Sequence, residues 1–182
     1  MIEVIAEHSV AIDLLPEKAK ILDAGCRGML FTNEMRRLGH NVLAIDIDDL
    51  KRPDYYQIAL GGKAGRVGIK RSADPQATSV CEGDEVMCFD LELLCKTSRC
   101  DFFDLIKLDI EGSEYEVIMS MDRPYCKQLS WEAHLHTGIY GPSGIIEMEN
   151  KLLNLGYFPA KHDMTQQHGL GYNYWDSLFI LK

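Results

Sequence analysis

The sequence predicts an α/β fold in which a doubly wound, mostly parallel sheet carries helices on both faces. Short apolar runs of strand length alternate with stretches of helical periodicity, a pattern typical of βαβ units. The last two apolar runs have no helix between them, which indicates an antiparallel strand at one edge of the sheet. We therefore expect one layered α/β domain.

The N-terminal segment predicts a helix, and the rest of the chain predicts the sheet and its helices. Residues 2–15 can form an amphipathic helix that stops near Pro16, because proline disrupts a helix interior. We therefore divide the single domain, residues 1–182, into an N-terminal helix at 1–18 and a core at 19–182.

The core elements follow from apolar run length and from glycines that end helices, as at Gly39 and Gly156. Apolar runs too short for a helix are assigned as strands, and runs with apolar residues at i, i+3 and i+4 as helices. The predicted elements are strand 19–25, helix 29–39, strands 41–48 and 54–60, loop 71–79, a strand-to-helix segment at 85–95, strand 102–110, helix 113–121, strand 127–135, helix 143–156, and closing strands 157–163 and 176–182.

Composition narrows the class of protein and of partner. A chain of 182 residues with 46% hydrophobic and 26% charged residues is ordinary for one globular domain. The formal net charge of -9 disfavours a non-specific nucleic-acid binder and an anionic membrane surface as partners. We expect a small-molecule substrate and no nucleic-acid or membrane partner. Whether the chain forms a homo-oligomer is left open.

Cysteine usage and the N-terminus predict a cytoplasmic protein. The six cysteines form no CxxC pair and no spacing typical of a disulfide framework, which favours reduced core thiols. The N-terminus lacks a basic start followed by an apolar run, and no apolar run approaches the roughly 20 residues that span a bilayer.

A glycine turn, ILDAGCRG at residues 21–28, joins the first core strand to the first core helix. Gly25 permits a tight turn, and Gly28 leaves room for a ligand at the helix N-terminus. The pattern is D-x-G-x-x-G, and Asp23 would repel a pyrophosphate but could receive a cationic amine, directly or through water. Loop capping is the structural alternative for this acid.

Asp46 ends the second core strand, where a carboxylate suits a grip on ribose hydroxyls; Asp48 is a second candidate for that role. Together with Asp23 it predicts a nucleoside-bearing ligand that lacks a diphosphate, namely S-adenosylmethionine (SAM). We assign three further residues to the same cofactor site: Cys26, Ile47 and Leu60.

The stretch DLIKLDIEGSEYEVI, residues 104–118, passes from a strand into a helix and carries several charged side chains. It resembles the L-K-[IL]-D-[IV]-E-G-x-E string of the FkbM-type methyltransferases, a family of class I SAM-dependent enzymes. YYQIALGGKAGRVGIK (55–70) is similar to the family's third strand and glycine turn, and LSWEAHLH (129–136) to its fifth strand. The similarity extends over residues 20–182.

The resemblance implies a Rossmann-like methyltransferase fold with a seven-stranded sheet in the order 3-2-1-4-5-7-6, strand 7 being antiparallel. It also implies SAM as cofactor and O-methylation of a hydroxyl on a sugar or related polar metabolite. The family's commoner D-x-G-A-N-x-G turn is altered here, since Cys26 and Arg27 replace the small and amide residues. N-methylation of a small amine and a catalytically silent SAM-binding module are the alternatives.

Lys107, Asp109 and Glu111 are spaced by two and are predicted to share one face of the fourth core strand. Ionisable groups on a central strand are costly to bury unless they pair or line a cleft. An ion pair of Lys107 with one of the acids is the structural alternative. We assign Asp109 and Glu111 to the catalytic site.

The start of the following helix has the form of a capping box, S-E-Y-E. Ser113 is predicted to accept from the backbone of Glu116, whose side chain bonds back to Ser113. Glu114 either benefits from the helix dipole or faces the cleft.

His134 is the candidate general base at the end of the fifth strand, with Glu132 orienting it and His136 facing the same way. Clustering with Asp109 on the neighbouring strand favours a catalytic role. A divalent metal held by Asp109, Glu132 and His134 is an alternative that we do not favour, so no metal is assigned.

Overall fold

The computed structural model describes residues 1–71, 78–166 and 173–182, and of residues 136, 162–166 and 173–175 the backbone only. The strands are β1 Ile2–Ile5, β2 His8–Ala11, β3 Lys20–Ala24, β4 Asn41–Asp46, β5 Tyr56–Gln57, β6 Ala59–Leu60, β7 Gly65–Lys70, β8 Ser79–Phe89, β9 Phe103–Leu108, β10 Cys126–His134, β11 Tyr157–Gln166 and β12 Asn173–Leu181. The α-helices are α1 Leu30–Arg37, α2 Leu91–Ser98, α3 Glu114–Ser120 and α4 Pro142–Asn154.

A seven-stranded mixed sheet organises the chain, and the predicted α/β class is confirmed. The strands lie in the order β11-β12-β10-β9-β3-β4-β5. Pairing is parallel from β10 to β5, and β12 runs antiparallel to both β10 and β11. The carboxyl ends of β3, β4, β9 and β10 therefore meet at one edge of the sheet.

The central strands are buried on both faces. Ile21 and Leu105 pack in a cluster with Phe31 and Met35 of α1. Their chain neighbours on the other face, such as Ile106, pack in the larger cluster that includes residues of α2, α3 and α4. Continuous burial is the reason these strands appear in the sequence as apolar runs rather than as alternating ones.

The N-terminal helix predicted within residues 1–18 is wrong: β1 and β2 form an antiparallel hairpin. Its two-residue connection, Ala6 and Glu7, has positive φ values of 46° and 72°, as a tight hairpin turn requires. The side chain of Gln128 donates to the carbonyl of Ala11 and accepts from its amide, both at 3.0 Å. Contacts with β10 thus override the helical periodicity of this segment.

The predicted third strand at 54–60 is divided between two sheets. Tyr56–Gln57 forms the edge of the large sheet, whereas Ala59–Leu60 joins a three-stranded sheet in the order β6-β8-β7. Most of the predicted loop at 71–79 lies outside the described residues, and Ser79 begins the long strand β8. Pairing with β7 on both sides of a register shift stabilises β8 despite its exposed, polar sequence.

Among the described residues, no helix combines the length and apolar character needed to cross a membrane.

Candidate active site

The polar layer of the sheet is assembled by strand register. Lys107 on β9 lies opposite Asp23 on β3 and opposite Ser130 on β10. Paired residues of neighbouring strands share a face, and on β10 Glu132 and His134 continue the Ser130 face toward the carboxyl end. The register therefore places charged groups from three strands next to one another.

Lys107 is the central cation of this layer and is 3% exposed. Its Nζ donates to the carbonyl oxygen of Gly25 at 2.8 Å and contacts Asp23 Oδ1 at 3.1 Å and Asp109 Oδ2 at 3.2 Å. Burial alone would lower the pKa of Lys107, but the attraction of Asp109 and Asp23 outweighs it and raises the pKa. The ion pair considered as a structural alternative is therefore present.

Asp23, predicted to receive the cofactor amine, is fully buried. One carboxylate oxygen accepts from the Thr32 hydroxyl at 2.5 Å, and the other faces Lys107. Neither oxygen reaches the surface, so a direct contact with a ligand amine is closed in this conformation. Asp23 acts on the site through Lys107.

Gly25 lies where the cofactor turn touches the end of β9. Its φ is +82°, and a Cβ added to it would lie 1.7 Å from the carbonyl oxygen of Asp109. The amides of Gly25 and Cys26 donate to the carbonyl of Ile45, at 2.9 and 3.1 Å. Glycine is required here both for its conformation and for the close approach of the two backbones.

The other predicted cofactor residues differ in accessibility. A Cβ on Gly28 would meet only Leu30, at 3.8 Å, so the backbone there is open to a ligand. Cys26 is buried with Met29 and Ala44. Leu60 is 2% exposed within the large core cluster, and Ile47 is half-buried beside the cluster of the small sheet.

Asp46 ends β4 and is 7% exposed. Its Oδ1 accepts from the Asp48 amide at 2.9 Å, and burial raises its pKa. Asp48, the second ribose candidate, forms an ion pair with Arg27 at 3.1 Å. Asp46 thus bonds to a backbone amide, whereas Asp48 is paired with a cation.

The three predicted catalytic residues converge. His134 Nε2 lies 3.3 Å from Asp109 Oδ1 and 3.7 Å from Glu111 Oε1. The His134 side chain is 2% exposed, whereas those of Asp109 and Glu111 are 29% and 17% exposed. The carboxylates thus form the solvent side of the cluster, and the imidazole lies behind them.

Glu114 is a site residue whose role the sequence leaves open. It is fully buried, and its carboxylate accepts from the amides of Ile110 at 2.7 Å and Gly112 at 2.8 Å. Its Oε1 also lies 2.9 Å from His134 Nδ1. Glu114 therefore orients both the turn before α3 and the imidazole of His134.

The predicted capping box at Ser113 and Glu116 is wrong. Ser113 makes no side-chain capping bond within the described residues, and its φ of -74° and ψ of -9° are already helical. The positive φ values of Glu111 (53°) and Gly112 (101°) reverse the chain before α3. That reversal points amide groups at Glu114, which therefore caps the turn in place of Ser113.

A second histidine, His8 of the N-terminal hairpin, also joins the cluster and was missed because a helix was expected there. Its Nε2 lies 3.4 Å from Asp109 Oδ2, and the residue is 3% exposed. The local signal is a run of three polar residues, Glu7, His8 and Ser9, between apolar ones. Ser9 donates to Asp176 of β12 at 2.5 Å, which fastens the hairpin over the cluster. The side chain of His136 lies outside the described part of the chain.

The acids change the proton affinities of their neighbours. Burial alone would lower the pKa of His134, but Glu114 and Asp109 raise it well above its ordinary value. For Asp109, burial is outweighed by Lys107 and His134, and the pKa is lowered. Burial, reinforced by Asp109, raises the pKa of Glu132 to about 7. The two acids therefore favour the protonated form of the His134 imidazole.

Two sets of side chains have ligand atoms close enough for one metal ion, all within 4.8 Å of one another. The first set is His8, Asp109 and Glu132; the second is Asp109, Glu111 and His134. The structure thus groups Glu132 with His8 rather than with His134.

Comparison with known proteins agrees with the fold and the motifs. The family model "Methyltransferase FkbM domain" matches residues 6–159. No curated protein gives a significant match.

Solved structures with similar folds include three methyltransferases. A SAM-dependent methyltransferase from Archaeoglobus fulgidus is 12% identical, with a TM-score of 0.51 over 93% of this chain and 89% of that one. Magnesium protoporphyrin IX methyltransferase from Synechocystis PCC 6803 with bound SAM is 14% identical (TM-score 0.49; 93% and 72%). The 1,6-didemethyltoxoflavin-N1-methyltransferase from Burkholderia thailandensis with S-adenosylhomocysteine is 12% identical (TM-score 0.47; 91% and 70%). At 12% identity, the likeness to the Archaeoglobus fulgidus structure concerns the fold alone.

Proposed function

Because the chain belongs to the FkbM family of SAM-dependent methyltransferases, we propose that it methylates a hydroxyl of a sugar or related small polar metabolite. The observation that carries the proposal is the contact between the glycine turn and the acid cluster. Gly25 lies against the backbone of Asp109, so a donor held at the turn and an acceptor held at the acids would be neighbours. The run of strands β5-β4-β3-β9-β10-β12-β11, with β12 antiparallel, supports the class I, doubly wound arrangement.

The cofactor half of the site consists of the turn and the end of β4. Asp46 would bind the ribose hydroxyls, and the open backbone at Gly28 would accommodate the ligand at the start of α1. Cys26, Ile47 and Leu60 would complete the cavity walls, and Asp23 would hold Lys107 and, through it, the turn carbonyl. When bound, SAM supplies the electrophilic methyl group.

The acceptor half consists of the partly exposed carboxylates. Asp109 and Glu111 would orient the acceptor hydroxyl, and His134 would hold Asp109 in place. As the oxygen gains the methyl group, its proton must leave. Glu132 lies on the same face of β10 as His134, and burial raises its pKa to about 7, whereas neighbouring acids favour the protonated form of His134; Glu132 is therefore favoured over His134 as proton acceptor.

The test is binding of S-adenosylhomocysteine to the purified chain, measured by calorimetry. We expect saturable binding, weakened at least tenfold by Asp46→Ala because the ribose grip is lost. Asp49→Ala is the matched control, since that acid is exposed and pairs with its near neighbour Lys51. Absence of binding by the wild type at millimolar ligand would refute the proposal.

N-methylation of a small amine is the second candidate, favoured by the carboxylates on the solvent side of the cluster. A cationic amine would be attracted there, while an anionic acceptor would be repelled. Methyl transfer from radiolabelled SAM to polyol and amine panels separates the two. Binding of S-adenosylhomocysteine with no transfer to any acceptor would favour the silent module.

We place the reaction in the cytoplasm because all six cysteines are free thiols and five of them are buried.

A further inference from the structure

We propose that Asp109, Glu111 and His134 form a binding site for one divalent first-row transition-metal ion, with Mn²⁺ as the representative ion. The inference goes beyond the proposed methyl transfer, because the site would bind its ion whether the acceptor is a hydroxyl, an amine or neither.

Ligand spacing is the first reason. Bonds of about 2.0–2.2 Å from a metal to nitrogen and oxygen place adjacent ligand atoms roughly 3.0–3.5 Å apart. His134 Nε2 lies 3.3 Å from Asp109 Oδ1 and 3.7 Å from Glu111 Oε1, and all three ligand atoms lie within 4.8 Å. Small side-chain adjustments would therefore complete a three-ligand set with open positions for solvent or substrate.

The groups behind the ligands are the second reason. His134 presents Nε2 to the acids because Nδ1 is held by Glu114 at 2.9 Å, and a carboxylate behind the imidazole is the usual partner of a metal-bound histidine. Asp109 is held at Oδ2 by Lys107 at 3.2 Å, which leaves Oδ1 directed at His134. Both ligands are thus oriented by residues that would not touch the ion.

A second buried imidazole approaches Asp109 from the N-terminal hairpin. His8 is 3% exposed, its Nδ1 has no hydrogen-bond partner among the described residues, and its Nε2 lies 3.4 Å from Asp109 Oδ2. His8, Asp109 and Glu132 also meet the spacing for a metal, so Asp109 lies between two imidazole-containing ligand sets.

The ligand types indicate the class of ion. Two carboxylates with one imidazole suit ions that accept both oxygen and nitrogen, and they disfavour soft ions that require thiolates. The carboxylates are on the solvent side, so an entering cation meets them before it meets His134. Mn²⁺ fits this set and offers a spectroscopic signal.

The test is Mn²⁺ binding to the full chain, monitored through the electron paramagnetic resonance signal of the free ion. We expect saturable binding of one ion per chain, weakened at least tenfold in Glu111→Gln and unchanged in Glu34→Gln, a surface control paired with Arg37. No saturable binding below millimolar Mn²⁺, or equal affinity in Glu111→Gln and wild type, would overturn the proposal.

A second measurement tests the imidazole directly. Electron spin-echo modulation of the bound Mn²⁺ should show nitrogen coupling that disappears in His134→Gln, while circular dichroism verifies that this variant folds. Bound Mn²⁺ without nitrogen coupling in the wild type would overturn the site as assigned. S-adenosylhomocysteine affinity measured on the same samples keeps failure of the metal site distinguishable from failure of the proposed methyl transfer.

Discussion

The acids at the ends of β3 and β9, at the same edge of the sheet, differ in burial and in pairing. At the end of β3, Asp23 is fully buried and paired with Lys107 and Thr32. In the turn after β9, Asp109 and Glu111 remain 29% and 17% exposed. An acid at a strand end can thus be buried in an ion pair or remain exposed to a ligand. The neighbouring side chains determine which of the two occurs.

The largest expected effect is at Gly25, where the two turns touch. Gly25→Ala would place a methyl group against the Asp109 carbonyl and impose an unfavourable positive φ, so we expect a loss of about 4–5 kcal/mol in unfolding free energy. Urea unfolding measures it. Gly28→Ala is the matched control and should cost less than about 1 kcal/mol, since its Cβ would make only an ordinary contact. Equal losses in both variants would contradict the proposed contact between the turns.

Next comes Lys107, the cation shared by both turns. Lys107→Met leaves Asp23 buried without its countercharge, and we expect a loss of about 3–4 kcal/mol by chemical denaturation. Adding Asp23→Asn to the same chain should restore part of this loss, because the buried charge is then removed. If the double variant is no more stable than the single one, Lys107 stabilises the turns by packing and not by charge.

A smaller effect distinguishes Glu114 from its neighbour Ser113. Glu114→Gln keeps the shape but weakens the charge-assisted bonds to the turn amides and His134, for an expected loss of about 2 kcal/mol. Ser113→Ala should change the unfolding free energy by less than about 0.5 kcal/mol, because Ser113 does not cap α3 within the described structure. Thermal and urea unfolding of the two variants measures both losses. A larger loss of unfolding free energy in Ser113→Ala than in Glu114→Gln would contradict the role assigned to Glu114.

The smallest expected effect is the pH dependence of cofactor affinity that arises from Asp46. The folded pKa of Asp46 is raised by burial, so its carboxylate takes up a proton at a higher pH than an exposed aspartate would. Since the ribose grip needs the carboxylate, affinity for S-adenosylhomocysteine should fall severalfold as pH drops from 7.5 to 5. Asp46→Asn should bind weakly at both pH values. A wild-type affinity that is constant over this range would contradict ribose binding by ionised Asp46.

The sequence predicted those features of the site that depend on residue patterns over a short stretch of chain. Strand ends, the Gly25 turn and the convergence of Asp109, Glu111 and His134 follow from periodicity and from parallel strand order. Errors occurred where distant contacts compete with local preference. The N-terminal segment has helical spacing, yet Gln128 and the neighbouring strands hold it as a hairpin.

The sequence by itself determined the α/β class, the family and the set of acids at the sheet edge, because these depend on residue types at fixed spacing. Only the tertiary structure decided which acid is neutralised, how His134 is oriented and that His8 joins the cluster. Those outcomes depend on pairs such as Lys107 with Gly25, 82 positions apart, and His134 with Glu114, 20 positions apart. Burial makes such pairs decisive, because a charge removed from water must find its partner within the fold.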